Sequence, residues 1–81
     1  MSEKRLYTVT LNLDGRIFSS EVELSGEPLV GDQIVVFNNP TVGLIVNVFR
    51  RSWDSKTGEL KLMCKHDYVI TRETLISYGW K

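Results

Sequence analysis

Nucleophilic catalysis needs an activating base near the nucleophile and a third group that orients the base. In this 81-residue chain the candidates are few: Cys64 is the single cysteine, His66 the single histidine, and Asp67 follows His66 directly. Two positions apart on an extended chain, Cys64 and His66 share a strand face. The strand rise separates them by roughly 6–7 Å, outside direct hydrogen-bond reach. Cys64 also shares its parity with Leu60 and Leu62, the setting in which a free cysteine acts as a small buried hydrophobe. His66 reads as a surface residue at a strand end. One cysteine and one histidine can form neither an internal disulfide nor a closed four-ligand zinc site. No glycine-rich phosphate loop and no pair of carboxylates flanking a cleft is visible. The reading is therefore non-enzymatic, with no catalytic residue, metal site or cofactor.

Recognition chemistry is better represented, in the segment from Thr41 to His66. If Lys56-Thr57-Gly58 forms a three-residue hairpin loop with its glycine in the left-handed position, Trp53 faces Lys61, Arg51 faces Met63 and Phe49 faces Lys65. Phe49, Arg51, Trp53, Lys61, Met63 and Lys65 then share one face as a candidate partner-binding surface. Val46, Val48, Arg50, Ser52, Leu60, Leu62 and Cys64 occupy the other face, which supplies the better run of core residues. Cations beside exposed aromatics suit an acidic protein surface or single-stranded nucleic acid, where each stacked base contributes roughly 1–3 kcal/mol. A four-residue loop, Ser55 to Gly58, would instead set Trp53 opposite Leu60 and turn the assignment over. The sequence leaves both registers open, because both parities carry large residues and a short turn fixes register weakly.

The elements that must position this face are mostly strands. Residues 6–13 alternate, with Tyr7, Val9, Leu11 and Leu13 on one parity, as in a half-buried strand. Asp14-Gly15 suits the positive φ angles of a two-residue hairpin turn, and residues 16–24 alternate again. That turn sets Leu13 opposite Arg16, Leu11 opposite Phe18, Val9 opposite Ser20 and Tyr7 opposite Val22, gathering the large apolar side chains on one face. Ser25-Gly26-Glu27-Pro28 breaks the pattern, Gly31-Asp32 turns the chain, and residues 33–37 form a short strand that Asn38-Asn39-Pro40 ends. Long strands over 41–53 and 59–66 follow. Thr71 caps a helix of about two turns through Tyr78, stopped by Gly79. Leu75, with Ile76 or Tyr78, must pack on the sheet, and Trp80 anchors the tail. Gly43, alone inside a strand pattern, marks a bulge or sharp bend.

These elements predict a mostly β domain over residues 1–81: five strands, two hairpins around a central strand, bent into a small barrel with a short C-terminal helix. The stretches Val-Gly-Asp-Gln-Ile-Val-Val (30–36) and Val-Gly-Leu-Ile-Val-Asn-Val (42–48) resemble the strand pair of SH3-like small barrels, including the KOW type. The resemblance implies that barrel architecture, and no functional residue is carried over from it.

Composition sets the remaining bounds. The chain is 42% hydrophobic and 25% charged, enough for a core and unlike a disordered segment. A domain this small buries about 60% of its unfolded surface, so packing or association with another subunit must supply stability. No apolar run approaches the ~20 residues of a transmembrane helix, and residues 1–16 lack the apolar run of a signal peptide; the expectation is a cytoplasmic protein without a membrane partner. Formal charge totals zero, yet residues 1–40 carry three basic and six acidic side chains and residues 41–81 carry seven and four. Either the halves neutralise each other on folding or one face is basic. The expected function is protein–protein interaction, with another protein or a second copy as partner. A salt-sensitive nucleic-acid contact through Arg50, Arg51, Lys61 and Lys65 is the alternative, against which stands a sequence pI near 6.6. Small-molecule binding between subunits is a third reading.

Overall fold

Asp14 and Gly15 adopt φ values of 52° and 84°, the paired positive φ angles of a type I′ turn. They join β1 (Lys4–Leu13) to β2 (Arg16–Ser25) in the anticipated register, from Leu13 opposite Arg16 to Tyr7 opposite Val22. Tyr7, Val9, Leu11, Leu13, Phe18 and Val22 are all buried along one face as a result. In this computed structural model, residues 4–37 and 41–81 are described. The proposed turn at Asn38-Asn39-Pro40 lies outside them.

The remaining strands are β3 (Gln33–Phe37), β4 (Gly43–Trp53) and β5 (Leu60–Lys65), followed by helix α1 (Arg72–Ser77). Successive antiparallel pairing joins β3 to β4 and β4 to β5, and β5 then pairs with β1 in parallel. The sheet order is β2-β1-β5-β4-β3. The strand between the two hairpins in the sequence, β3, therefore lies at an edge, and β5 takes the centre that sequence reading gave to it. The five strands curl strongly into a half-barrel. Its concave side is lined by the β1–β2 residues above together with Ile34, Val36, Leu44, Val46, Val48, Leu60, Leu62 and Cys64, all buried.

Gly43 is not a bulge: it pairs regularly with Phe37. A Cβ there would lie 2.7 Å from Phe37 Cε1 and 2.7 Å from Val35 Cγ1. The glycine is the floor on which these two outer side chains rest. The irregularity falls instead between Val48 and Arg50, where β4 holds one residue more than β5.

The link from β2 to β3 is pinned from two sides. Tyr7 Oη donates to the Gly26 carbonyl at 3.0 Å, and Arg51 reaches both Glu27 Oε1 and the Pro28 carbonyl, at 2.6 and 3.2 Å. At the other end of the half-barrel the tail turns inward. Thr71 Oγ1 accepts from the Thr74 amide and caps α1, and Gly79, at φ 94°, ends it while the Trp80 amide donates to the Leu75 carbonyl. Leu75 and Trp80 are buried, Tyr78 is half-buried and Ile76 is exposed. Backbone groups of Lys81 and Ser19 then exchange two hydrogen bonds, at 2.8 and 2.9 Å, along the outer edge of β2.

Trp80 Nε1 is buried with no acceptor among the described residues, which costs about 1–3 kcal/mol for an unmet donor. That donor and the large ring act in opposite directions. Trp80→Ala is expected to destabilise by about 3–5 kcal/mol. Trp80→Phe removes the orphan N–H while keeping most of the ring, and its loss in urea denaturation should be less than half as large.

Candidate interaction face

Asp54 and Glu59 close the β4–β5 hairpin: the Asp54 amide donates to the Glu59 carbonyl, and Trp53 pairs with Leu60. The loop is the four-residue Ser55–Gly58, and the three-residue alternative is corrected. Asp54 makes the longer loop favourable. Its Oδ1 accepts from the Lys56 amide at 2.9 Å and its carbonyl accepts from the Gly58 amide. The Lys56 amide holds the Asp54 carboxyl below the ordinary carboxylate range, helped by the Thr57 amide and by Lys61.

With that loop alone, all of β4 would reverse its faces. The extra residue at Phe49 restores the original parity on the far side, so Val48 lies opposite Cys64 and Asn47 opposite Lys65. The six expected binding residues are therefore divided. Phe49, Lys61, Met63 and Lys65 lie on the outer, convex face of the sheet. Arg51 and Trp53 share parity with buried Leu62 and Leu60 on the inner side. Trp53 stands beyond the core and is 61% exposed. Arg50 and Ser52, expected inside, are exposed.

Arg51 serves the fold, since its guanidinium ties β4 to the β2–β3 link through Glu27. Both side chains are partly solvated, so the pair contributes only about 0–1 kcal/mol. Lys61 lies 3.5 Å from Asp54 Oδ2, and Lys65 Nζ sits 4.8 Å above the Phe49 ring. Two of the six residues thus have their charge met by a carboxylate, and Lys65 supplies the one cation–π contact within the set.

Around Phe49 the outer face is shallowly concave. Thr10, Asn12, Ile17, Phe49, Met63 and Cys64 line a depression of about 130 Å³. Ile17 is 66% exposed and Phe49 45%. Thr10, Asn12 and Ile17 were missed in the sequence. Their outward parity was visible, because the Asp14-Gly15 turn sets Asn12 opposite Ile17. What brings them to Met63 is the parallel pairing of β1 with β5, which places Thr10 beside it. Two residues from Phe49 along β4, Asn47 links two neighbours: Gln33 Nε2 donates to its Oδ1, and its Nδ2 donates to Asp67 Oδ2.

Cys64 and His66 have separate partners, the Leu62 carbonyl for the thiol and the Tyr68 carbonyl for the ring. The thiol is buried in the core, and burial pushes it up to about 11. The half-buried His66 ring has Nδ1 2.6 Å from the Tyr68 carbonyl. No described helix is long and apolar enough to cross a membrane. Comparison of the chain with protein-family models, with curated proteins and with solved structures finds no match.

The raised thiol pKa fixes a pH dependence. The unfolded thiol ionises near its ordinary value of 9.0 and the folded one near 11, so ionisation draws protons off the unfolded state first. The stabilising effect of the neutral buried thiol is complete below pH 9 and disappears as pH rises toward 11. Tyr68, also raised chiefly by burial, acts in the same direction at higher pH. Urea midpoints measured across this range should fall for the native chain and fall less for Cys64→Val; identical declines would show that the thiol is not buried in a neutral form.

Proposed function

We propose that the chain is a non-catalytic protein-binding module that presents the outer face around Phe49 and Met63 to a partner protein. The observation that carries this reading is the exposed apolar depression formed by Ile17, Phe49 and Met63 across β2, β4 and β5. Aromatic residues and methionine are the types enriched at protein interfaces, and a few such anchors carry most of the binding energy. Thr10 and Asn12 add hydrogen-bonding groups to the same surface, and Lys65, stacked on Phe49, gives its rim a positive charge.

Nucleic-acid binding through a basic aromatic face has one feature in its favour, the Lys65–Phe49 stack. It is the weaker reading: Arg51 and Lys61 are engaged by Glu27 and Asp54, which lowers the positive potential that backbone phosphates require. The small-molecule reading requires a site between subunits, since the 130 Å³ of this depression is below the ~300–1,000 Å³ of ordinary ligand pockets.

Capture on immobilised full-length chain, followed by affinity measurement with the purified partner, tests the proposal. The double variant Phe49→Ala, Met63→Ala should keep its far-UV spectrum and weaken that partner at least about tenfold, the ~1.4 kcal/mol expected for losing one anchor. Trp53→Ala, on the opposite side of the sheet, should leave the affinity unchanged. A partner indifferent to Phe49 and Met63 would overturn the reading. A single-stranded oligonucleotide bound tightly at low salt and released at high salt would replace it with the nucleic-acid one.

A further inference from the structure

The two outermost strands of the sheet are unlike each other. At the β2 edge, Ser19 exchanges backbone hydrogen bonds with Lys81, and Glu21 and Glu23 stand exposed on either side of Val22. Charge and coverage of this kind are what keep sheet edges from pairing with other chains. Among the described residues, the β3 edge has neither. Gln33-Ile34-Val35-Val36-Phe37 carries no charge, proline or glycine, and its pairing with β4 is free of bulges.

The direction of its backbone groups follows from the ladder. The Val48 amide donates to the Asp32 carbonyl, so the pairs two and four residues on, Ile34–Val46 and Val36–Leu44, are the hydrogen-bonded ones. Gln33, Val35 and Phe37 therefore turn their N–H and C=O groups away from β4, toward the open edge. The same three residues are exposed, Val35 at 43% and Phe37 at 60%, with Ile45 at 43% beside them on β4. Along β4, Asn47, hydrogen-bonded to Gln33 and Asp67, stands between Ile45 and Phe49.

We propose that two copies of this chain associate by antiparallel pairing of β3 with β3 across a two-fold axis through Val35. This goes beyond the protein-binding face proposed above and uses a different surface. In that register Val35 meets Val35 of the second copy and Gln33 meets Phe37 of the second copy on both sides of the axis. The strand is self-complementary: every backbone group that points outward from these three residues finds a partner. An edge without charge selects no charged peptide. The zero formal charge of the chain also sets up no long-range repulsion between copies. Because the β2 edge is covered at Ser19 and flanked by carboxylates, β3 is the one open edge among the described residues. Pairing closes at two copies and does not propagate.

Light scattering on the full chain, from low to high micromolar concentration, should show twice the chain mass. Val35→Pro deletes only an N–H that β3 does not give to β4, and it should run as a folded monomer. Cysteine substitution tests the register independently of that variant. A hydrogen-bonded antiparallel pair holds opposed Cα atoms about 5.5 Å apart, inside disulfide range, so Val35→Cys should form a cross-linked dimer on mild oxidation. Gln33→Cys should not, since the two copies of residue 33 would be roughly 13 Å apart along the strands. Buried Cys64 stays out of the reaction. A monomeric mass at every concentration, an unchanged dimer in folded Val35→Pro, a larger open-ended assembly, or equal cross-linking at both positions would overturn the proposal. Loss of the dimer in Phe49→Ala with retention in Val35→Pro would move self-association to the outer face.

Discussion

Everything in this fold depends on the parallel pairing of β1 with β5. Each half of the chain forms antiparallel structure by itself, through tight turns and neighbouring strands. Neither a lone hairpin nor a three-stranded meander buries both sides of the apolar row it carries. Setting Thr8–Leu11 against Lys61–Cys64 places Val9 and Leu11 beside Leu62 and Cys64, all at 3% exposure or less. This seam creates the concave core. It also builds the candidate interaction face on the reverse side, since Thr10 reaches Met63 only across it. Closing so distant a contact costs loop entropy before any contact repays it, and the tail offsets part of that cost by bringing Leu75 and Trp80 into the same core.

The second constraint is the extra residue in β4 at Phe49. A strand has a two-residue side-chain period, so inserting one residue exchanges its faces from that point on. Toward Gly43 the parity keeps Val46 and Val48 in the core. Toward Trp53 it turns Arg51 inward, where the guanidinium holds the β2–β3 link instead of meeting a partner. Phe49 itself is placed on the outer face under Lys65. One local irregularity thus decides which residues serve stability and which are left for binding.

The parts legible in the sequence are those governed by local rules. Asp14-Gly15 admits essentially one turn type, so the β1–β2 register and its buried row followed from residue types alone. Thr71 and Gly79 marked both ends of α1 for the same reason, and a free cysteine in step with Leu60 and Leu62 was readable as core. The β4–β5 hairpin was half legible. Both registers were visible; the four-residue one holds beside the loop, and the bulge that restores the face parity of the other beyond Phe49 has no glycine or proline to announce it. Gly43, which invited that reading, is small because Val35 and Phe37 lie over it. Least legible was the strand order: nothing local in Thr8–Leu11 or Lys61–Cys64 states that they lie side by side. For that reason Lys61, Met63, Lys65 and Phe49 could be grouped in advance, whereas Thr10, Asn12 and Ile17 could not.

The most direct test of this account is a nuclear Overhauser measurement on isotope-labelled chain, aimed at backbone protons of β1 and β5. The account predicts cross-strand contacts between Val9 and Leu62 and between Leu11 and Cys64, in the pattern of parallel strands, with these amides among the slowest to exchange with solvent. Contacts of β1 to β2 alone, or an antiparallel pattern between β1 and β5, would contradict it. Either result would dismantle the core and the interaction face together.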